Sequence, residues 1–320
     1  MSAPWTVVVT GPTCGGKTGL STALARATGW PILSLDAMKV YRGMDIGSAK
    51  PSAELRSELR FELLDLRDPW ETFSVSDYLE EWKAVSERIA GPRILSGGTL
   101  FYLNALREGL FEGPGADPAT RERWEARADA EGTASLHRHL CGIDPIAAAR
   151  IHPTDRRRLI RAIEVFESSG ETLTAWQARR EPSLDPERTI WLGISRPREA
   201  LHARIEARVL RMFDAGWVAE VEGLLARREP PWSSSAAQSI GYEVIRERLL
   251  AGEDPRGGIE RIQSRTRAFA RRQLTWARKL PIEWWTPEEF EERGERLIAS
   301  LTRGELPTPD PEARQRGAAQ

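Results

Sequence analysis

The strongest constraint in this sequence is a glycine-rich loop that follows an apolar run near its N-terminus. The run at 7–10 precedes GPTCGGKT at Gly11–Thr18, which fits the pattern G-x-x-x-x-G-K-[ST] in full. Such a loop turns backbone N–H groups toward phosphate oxygens, and a helix predicted to begin at Lys17 adds the positive end of its dipole. Lys17 supplies a mobile cation, and the Thr18 hydroxyl is placed to bind a magnesium ion.

The loop therefore predicts a site for a diphosphate or a triphosphate. Its residues are Gly11, Pro12, Thr13, Cys14, Gly15, Gly16, Lys17 and Thr18. A glycine turn with no ligand is the alternative, and the strand pattern before the loop and the helix pattern after it count against that alternative. Other segments of the sequence must indicate which phosphate compound binds and which reaction follows.

Length, charge and cysteine usage narrow the class of protein. The 320 residues, 40% hydrophobic and 29% charged, are enough for one large domain or two smaller ones with a packed core. A net charge of -1 excludes a wholly basic nucleic-acid binder but allows a locally basic groove. Cys14 and Cys141 have no metal or redox spacing, and no apolar run approaches ~18 residues. With no leader pattern before the first strand, we expect a cytoplasmic monomer without membrane contact.

Two polar segments are predicted to lie beside the phosphate loop. Further strands are expected at 31–35, 61–66, 93–96 and 189–194. Asp36 directly follows the first of these, and ligands of doubly wound sheets bind at the carboxyl ends of strands. Gly97-Gly98-Thr99 follows another of these runs and precedes a helical pattern, so it could present N–H groups and a hydroxyl to a ligand. Close helix packing explains its glycines equally well, and the sequence leaves the choice open.

The rest of the chain has a helical pattern. Residues 113–188 contain no predicted strand, and Asp117 is suited to cap a helix there. A final helix over 259–279 carries seven basic residues and one acid, Glu260, which favours phosphate contact over a solvated basic face. We predict an α/β fold, a P-loop NTPase-like parallel sheet core with an inserted all-helical domain. The core is expected at 1–112 and 189–303, the insertion at 113–188, and a disordered tail at 304–320.

Several segments together resemble one family, the bacterial tRNA dimethylallyltransferases, also called tRNA isopentenyltransferases. They are GPTCGGKT at Gly11–Thr18, LDAMKVYRGMDIGSAKP at Leu35–Pro51, GGTLFYLNAL at Gly97–Leu106, HPTDRRRLIRAIEVFESSG at His152–Gly170, QSIGYE at Gln238–Glu243 and TRAFARRQLTWARK at Thr266–Lys279. The resemblance covers about residues 5 to 285, with its motifs in the family's order. The set is specific, whereas the phosphate loop alone is shared by many nucleotide-binding proteins.

The resemblance implies transfer of a dimethylallyl group from dimethylallyl diphosphate to the exocyclic amine of the adenosine 3′ to the anticodon. The loop would then hold pyrophosphate, with Mg²⁺ on Thr18 as cofactor. Asp36 matches the family's general base, and Arg208 resembles an arginine near the diphosphate. The adenine would be flipped out of the anticodon loop to reach this site. Positions matching tRNA contacts are Asp36, Ala37, Met38, Lys39, Thr99, Arg121, Arg157, Arg158, Leu159, Ile160, Arg161, Gln238, Ser239, Ile240, Gly241, Tyr242 and Glu243.

Three departures from the family pattern affect fine substrate preference rather than the reaction. Cys14-Gly15 stands where Ala-Ser is common, Lys39 replaces a neutral residue, and Leu100 replaces a glycine. Three other functions remain in view: a small-molecule P-loop kinase, a prenyltransferase acting on free adenine nucleotides, and an RNA-binding regulator with a vestigial loop. The kinase would need an acidic residue closing an apolar strand, for which Asp65 is the candidate.

Overall fold

The computed structural model describes residues 4–111, 113–227, 232–303 and 305. Contacts divide the chain into two compact units, one containing the residues up to Asn104 and those from Leu184 onward, the other Ala105–Ser183. The predicted tail at 304–320 lies outside the described residues, apart from Glu305. Among the described residues, no helix is long and apolar enough to cross a membrane.

The first unit is built on one fully parallel sheet. Its strands are β1 (Thr6–Thr10), β2 (Ile32–Leu35), β3 (Phe61–Glu62), β4 (Arg93–Gly97), β5 (Thr189–Ile194) and β6 (Glu283–Trp285), in the order β3-β2-β4-β1-β5-β6. β1 is buried along its whole length between β4 and β5, as its run of β-branched residues predicts. The carboxyl ends of β1, β2 and β4 therefore meet at one edge of the sheet.

The first unit also contains helices, some between the strands and others after β5. They are α1 (Lys17–Thr28), α2 (Ala53–Glu58), α3 (Val75–Arg88), α4 (Leu100–Glu108, which crosses into the second unit), α10 (Arg198–Asp214), α11 (Trp217–Ala226), α12 (Tyr242–Leu250), α13 (Ile259–Ala277) and α14 (Pro287–Thr302). Leu20 and Leu24 of α1 pack on Val7 and Val9 of β1, together with Leu297 of α14. This core fixes the beginning of α1, and so fixes the loop that precedes it.

The second unit is helical throughout its described part. It contains α5 (Pro118–Glu131), α6 (Thr133–Ile143), α7 (Pro145–Arg150), α8 (Arg156–Ser169) and α9 (Leu173–Ala178). Asp117 caps α5 by accepting from the Ala119 N–H, as predicted from the sequence. Leu136, Leu140, Leu159 and Ile163 form the centre of a core of its own.

The predicted fold class is confirmed, and the third strand is shorter than expected. A strand was expected over 61–66, but β3 ends at Glu62. Leu63 and Asp65 have φ values of 62° and 56°, and a left-handed backbone cannot continue a strand. The chain turns there because Asp65 accepts hydrogen bonds from Lys50 and Arg56.

Candidate active site

The phosphate loop connects the end of β1 to the beginning of α1. Gly16, the N-cap residue, has φ 123°, a conformation that residues with a side chain rarely adopt. No side chain caps α1 and no acidic residue lies in its first turn, so its leading N–H groups remain directed at the loop. The Lys17 ammonium lies back on the loop, donating to the carbonyl oxygens of Gly11 at 3.1 Å and Pro12 at 2.7 Å.

Three arginines of the segment 196–208 donate hydrogen bonds to the phosphate loop. Arg196 donates from Nε to the Gly15 carbonyl at 2.7 Å, and Arg204 donates from Nε to the Cys14 carbonyl at 2.9 Å. Arg208 donates from Nη1 to the Thr13 hydroxyl at 3.1 Å. These guanidinium groups have further donors available, so the loop is surrounded by positive charge suited to a diphosphate.

Burial and the neighbouring charges change the pKa of Lys17. Desolvation in the cleft lowers the pKa of Lys17 to about 8; the nearby carboxylate of Asp36 opposes this, and the positive charges of Arg208 and Lys39 add to it. The pKa of Lys39 is lowered for the same main reason, burial. A bound anion would favour the charged form of both ammonium groups.

Asp36 begins a turn held by its own side chain. Its Oδ1 accepts from the backbone N–H groups of Met38 at 2.9 Å and Lys39 at 3.4 Å, and Asp36 lines the cleft. The Ala37 N–H donates to Oγ1 of Thr99 at 3.0 Å. The turn after β2 is thus joined to Thr99, after β4, through Ala37, the residue next to Asp36.

Close packing explains the two glycines before Thr99, the point that the sequence left open. A Cβ on Gly97 would lie 2.0 Å from the carbonyl oxygen of Leu35 on the neighbouring strand. A Cβ on Gly98 would lie 2.4 Å from Nε2 of Gln273. The Thr99 N–H is bonded to the Leu35 carbonyl, and both Gly98 and Thr99 line the cleft.

Two cavities open on either side of the Asp36 turn. One, of about 550 Å³, is lined by the phosphate loop from Gly16 to Gly19, Lys39, Arg204 and Arg211. The other, of about 920 Å³, is lined by Thr99, Phe101, Phe269 and Trp276 and is more apolar. Thr13, Cys14, Lys17, Asp36, Ser48 and Arg208 line both. The cleft therefore has a polar compartment and an aromatic compartment that meet at Asp36, Lys17 and Arg208.

A loop wall of the aromatic compartment is fastened by Glu220 and Tyr242. Glu220 Oε2 accepts the N–H groups of Asp45 and Ile46 at 2.9 and 2.8 Å. The Tyr242 hydroxyl accepts the Gly47 N–H at 3.1 Å and donates to Glu220 Oε1. Tyr242, predicted to contact tRNA, is fully buried and braces this loop.

Other predicted contact residues from the 238–243 segment reach the same compartment. Gln238, Ser239, Ile240 and Glu243 all line the cavity; Gln238 is exposed and Ser239 is 3% exposed. Gly241 has φ 94°, and a Cβ there would lie 2.0 Å from Trp217, so its role is to let the chain pass that ring.

The basic residues of α13 divide into two groups. Arg261, Arg265 and Arg267 pair with Glu247, Glu243 and Glu206, acids on α12 and α10 that the helix's own sequence does not reveal. Arg271 and Arg272, together with Arg278 and Lys279 directly after the helix, have no carboxylate partner within the described ranges. Arg272 lines the aromatic compartment together with Phe269, Gln273 and Trp276, one face of α13 at helical spacing.

Two predicted contact residues of the second unit, Arg121 and Arg161, bond a buried carboxylate. Arg121 donates to both oxygens of Glu164, at 2.8 and 3.1 Å, and Arg161 donates to Glu164 Oε2 at 2.6 Å. Arg157 and Arg158 are exposed. Leu159 and Ile160, with 0% and 3% exposure, belong to the core of this unit, so their side chains present nothing to a partner.

The residues present fit a magnesium ion held jointly with a diphosphate. Within the ranges that the structure describes, no group of three or more His, Cys, Asp or Glu side chains could hold a metal by itself. Thr18 is exposed in the first turn of α1 and lines the polar compartment. Mg²⁺ commonly takes one or two protein oxygens and completes its shell with phosphate oxygens and water.

Sequence reasoning missed Gln273, Arg196, Phe101 and Trp276. Phe101 and Trp276 are 55% and 40% exposed, and both line the aromatic compartment. The spacing of Phe269, Arg272 and Trp276 on α13 was the available signal for that face. Nothing local points to Arg196 or Gln273, because their partners lie 181 and 260 residues away.

The parallel sheet and its glycine loop define a P-loop-like α/β protein. Residues 39–280 match the family model described as IPP transferase. The chain is 44% identical over 288 residues to a tRNA dimethylallyltransferase of Chloroflexus aurantiacus, covering 88% of this chain and 96% of that one. It is 42% identical over 290 residues to one of Geobacter sulfurreducens, covering 89% and 93%.

A solved structure agrees with these relatives. The tRNA isopentenylpyrophosphate transferase of Bacillus halodurans is 31% identical, with a TM-score of 0.65 and 98% of each chain covered. This chain belongs to the IPP transferase family.

Proposed function

We propose that this chain transfers a dimethylallyl group from dimethylallyl diphosphate to the exocyclic amine of the adenosine 3′ to the anticodon in tRNA, giving isopentenyladenosine. The observation that carries the proposal is that Asp36 lines both compartments of the cleft. A carboxylate at their junction can reach an acceptor on one side and a diphosphate ester on the other. Relatives named tRNA dimethylallyltransferase supply the substrate pair.

The polar compartment suits the diphosphate. The N–H groups at the beginning of α1, Lys17 and Arg208 would bind its oxygens. Thr18 would hold Mg²⁺ together with those oxygens, and the ion when bound offsets the negative charge that grows on the leaving group. As the C1–O bond of the dimethylallyl ester breaks, its electron pair leaves with pyrophosphate, which these cations stabilise.

The aromatic compartment suits a purine extruded from a single-stranded loop. Its volume of about 920 Å³ exceeds the space of one base, and its lining includes the exposed aromatic residues Phe101 and Trp276, a residue type on which bases stack. The amine nitrogen forms the new N–C bond, and its proton passes to Asp36 acting as general base. The Asx-type turn at Asp36, tied to Thr99, holds the carboxylate in place for this transfer.

The remaining predicted contacts would bind the RNA backbone. Arg271, Arg272, Arg278 and Lys279 supply cations without carboxylate partners in the described part of the chain, which suits phosphates. In the second unit we propose Arg157, Arg158 and Arg161, with Arg121, as contacts to the anticodon stem-loop. We propose a monomer working in the cytoplasm, where tRNA is found.

The acidic residue that a kinase would need does not follow a strand next to β1. Asp65 follows the edge strand β3, separated from β1 by β2 and β4, and pairs with Lys50 and Arg56. β4, which adjoins β1, ends in Ser96 and Gly97 without an acid. A prenyltransferase of free adenine nucleotides would need neither the exposed aromatics nor the unpaired cations of α13.

Mass spectrometry of nucleosides tests the proposal. Unmodified tRNA is incubated with the protein, dimethylallyl diphosphate and Mg²⁺, and its anticodon loop is isolated by nuclease digestion. We expect isopentenyladenosine at the position 3′ to the anticodon, and none when dimethylallyl diphosphate is omitted. Prenylation of free adenosine monophosphate with tRNA untouched would instead support the nucleotide prenyltransferase.

A further inference from the structure

We propose that Gln273 is a positioning residue that holds the phosphate loop and the Gly98–Thr99 turn at one fixed separation. The proposal rests on the proposed function, because it assigns the phosphate loop to the diphosphate. Gln273 lies near the C-terminal end of α13 and is 5% exposed. It is thus a buried polar side chain that must find partners or carry a large cost.

Both ends of the Gln273 amide are bonded, each to a different segment of the site. Its Oε1 accepts the backbone N–H of Thr13 at 2.7 Å. Its Nε2 donates to the backbone carbonyl of Gly98 at 2.8 Å. The partners are a donor and an acceptor fixed by the main chain, so only one orientation of the amide satisfies both.

The Gln273 amide lies so close to position 98 that only glycine fits there without displacing it. A Cβ there would lie 2.4 Å from Nε2 of Gln273, too close for the amide to stay in place. The φ angle of Gly98 is not positive, so backbone conformation does not require glycine here. The close approach of the Gln273 amide therefore explains why this residue is glycine. The three segments are therefore fitted to one another.

The bridge extends from the phosphate loop to the proposed base. Thr13 also carries the hydroxyl that Arg208 bonds, and Thr99, next to Gly98, accepts the Ala37 N–H beside Asp36. A shift of the Gln273 amide would move the loop on one side and the Asp36 turn on the other. Gln273 itself touches neither reacting group, so it acts through Thr13 and Gly98.

The test compares Gln273→Met with Gln263→Met in the full-length protein. Met fills a similar volume but neither accepts from Thr13 nor donates to Gly98. Gln263 lies on the same helix, and its amide makes one exposed bond, to the Glu206 carbonyl at 3.3 Å. Calorimetry measures binding of pyrophosphate with Mg²⁺, and steady-state assays give kcat and KM for dimethylallyl diphosphate.

We expect Gln273→Met to weaken pyrophosphate binding about tenfold and to raise KM by a similar factor, while Gln263→Met matches the wild type. Gly98→Ala, which keeps the glutamine but displaces its amide, should do the same. The double variant should be no worse than Gln273→Met alone, because both changes break one contact.

Equal pyrophosphate affinity in Gln273→Met and the wild type would overturn the inference. If that variant does not fold, unchanged affinity in Gly98→Ala overturns it instead. Fully additive losses in the double variant would also contradict a shared contact. A wild type that binds pyrophosphate but modifies no tRNA would reject the proposed function while leaving the role of Gln273 in the loop intact.

Discussion

Arg208 donates a hydrogen bond from Nη1 to the hydroxyl of Thr13 at 3.1 Å, joining α10 to the phosphate loop. The two residues are 195 positions apart, so the contact exists only in the folded chain. The same guanidinium lines both compartments of the cleft, and it also contacts Sγ of Cys14 at 3.5 Å. Arg208 is therefore held where a diphosphate would lie.

Replacing Arg208 with Gln should weaken pyrophosphate binding by one to two orders of magnitude. A charged hydrogen bond is worth about 1.5–3 kcal/mol, which corresponds to that range. Titration calorimetry measures the change. Arg198→Gln, on the exposed first turn of the same helix, is the matched control and should bind normally. Equal affinity in both variants would remove Arg208 from the site.

Asp36→Asn should abolish most prenyl transfer while leaving the turn intact. The Asn oxygen can still accept from Met38 and Lys39, but the amide cannot take up a proton. We expect a fall of about 10²- to 10⁴-fold in kcat, with pyrophosphate affinity unchanged or higher. Isopentenyladenosine is quantified by mass spectrometry. Asp68→Asn serves as control, and full activity of Asp36→Asn would exclude this residue as the base.

Binding of pyrophosphate at pH 8 should take up protons through Lys17. The pKa of Lys17 in the free protein is about 8, and an adjacent anion raises it, so affinity falls as pH rises above 8. Calorimetry in buffers with different ionisation enthalpies measures the uptake. Lys17→Arg remains charged and should take up fewer protons than the wild type, whereas identical uptake would point to another group, such as Lys39.

The stability of the second unit should depend on the charge of Glu164. Burial alone would raise the pKa of Glu164, but hydrogen bonds from Arg121 and Arg161 and the Asp117 N–H lower it below the ordinary value of 4.5. A carboxyl whose folded pKa is depressed stabilises the fold above 4.5 and loses that contribution as pH falls through the folded pKa. We expect Glu164→Gln to lose about 1–3 kcal/mol at pH 7.

Thermal unfolding across pH checks this expectation. The difference between the wild type and Glu164→Gln should shrink as pH falls from 4.5 through the lowered folded pKa, because the unfolded chain takes up the proton first and the folded carboxylate is neutralised only at lower pH. Glu167→Gln should change stability little at any pH, because its ionic partner Arg123 is 62% exposed and an amide oxygen can still accept from Trp124 Nε1. A difference that persists unchanged at low pH would show that shape and not charge explains the loss.

Local patterns in the sequence predicted the elements that local chemistry determines. The β1–loop–α1 unit, the Asp117 cap and the position of Asp36 after β2 all follow from neighbours in the chain. The length of β3 could not be predicted, because Lys50 and Arg56 turn the backbone at Asp65 from outside the strand. An apolar run alone does not contain that information.

Prediction of the candidate site from local sequence patterns is limited in the same way. The acids that pair with Arg261, Arg265 and Arg267 come from other helices, so counting acids within α13 overestimated its free positive charge. Leu159 and Ile160 fall within a matching motif but pack inward, and a motif does not separate contact residues from their supports. The amide of Gln273 became visible only through its two partners.

The bond from Gln273 to Thr13 spans 260 positions, which has a consequence during synthesis. The glycine loop leaves the ribosome well before its brace, because Gln273 is translated 260 residues after Thr13. Nascent chains that stop before Gln273 would therefore carry a poorly shaped anion cradle, and the ability to capture a phosphate compound would appear only after α13 has emerged.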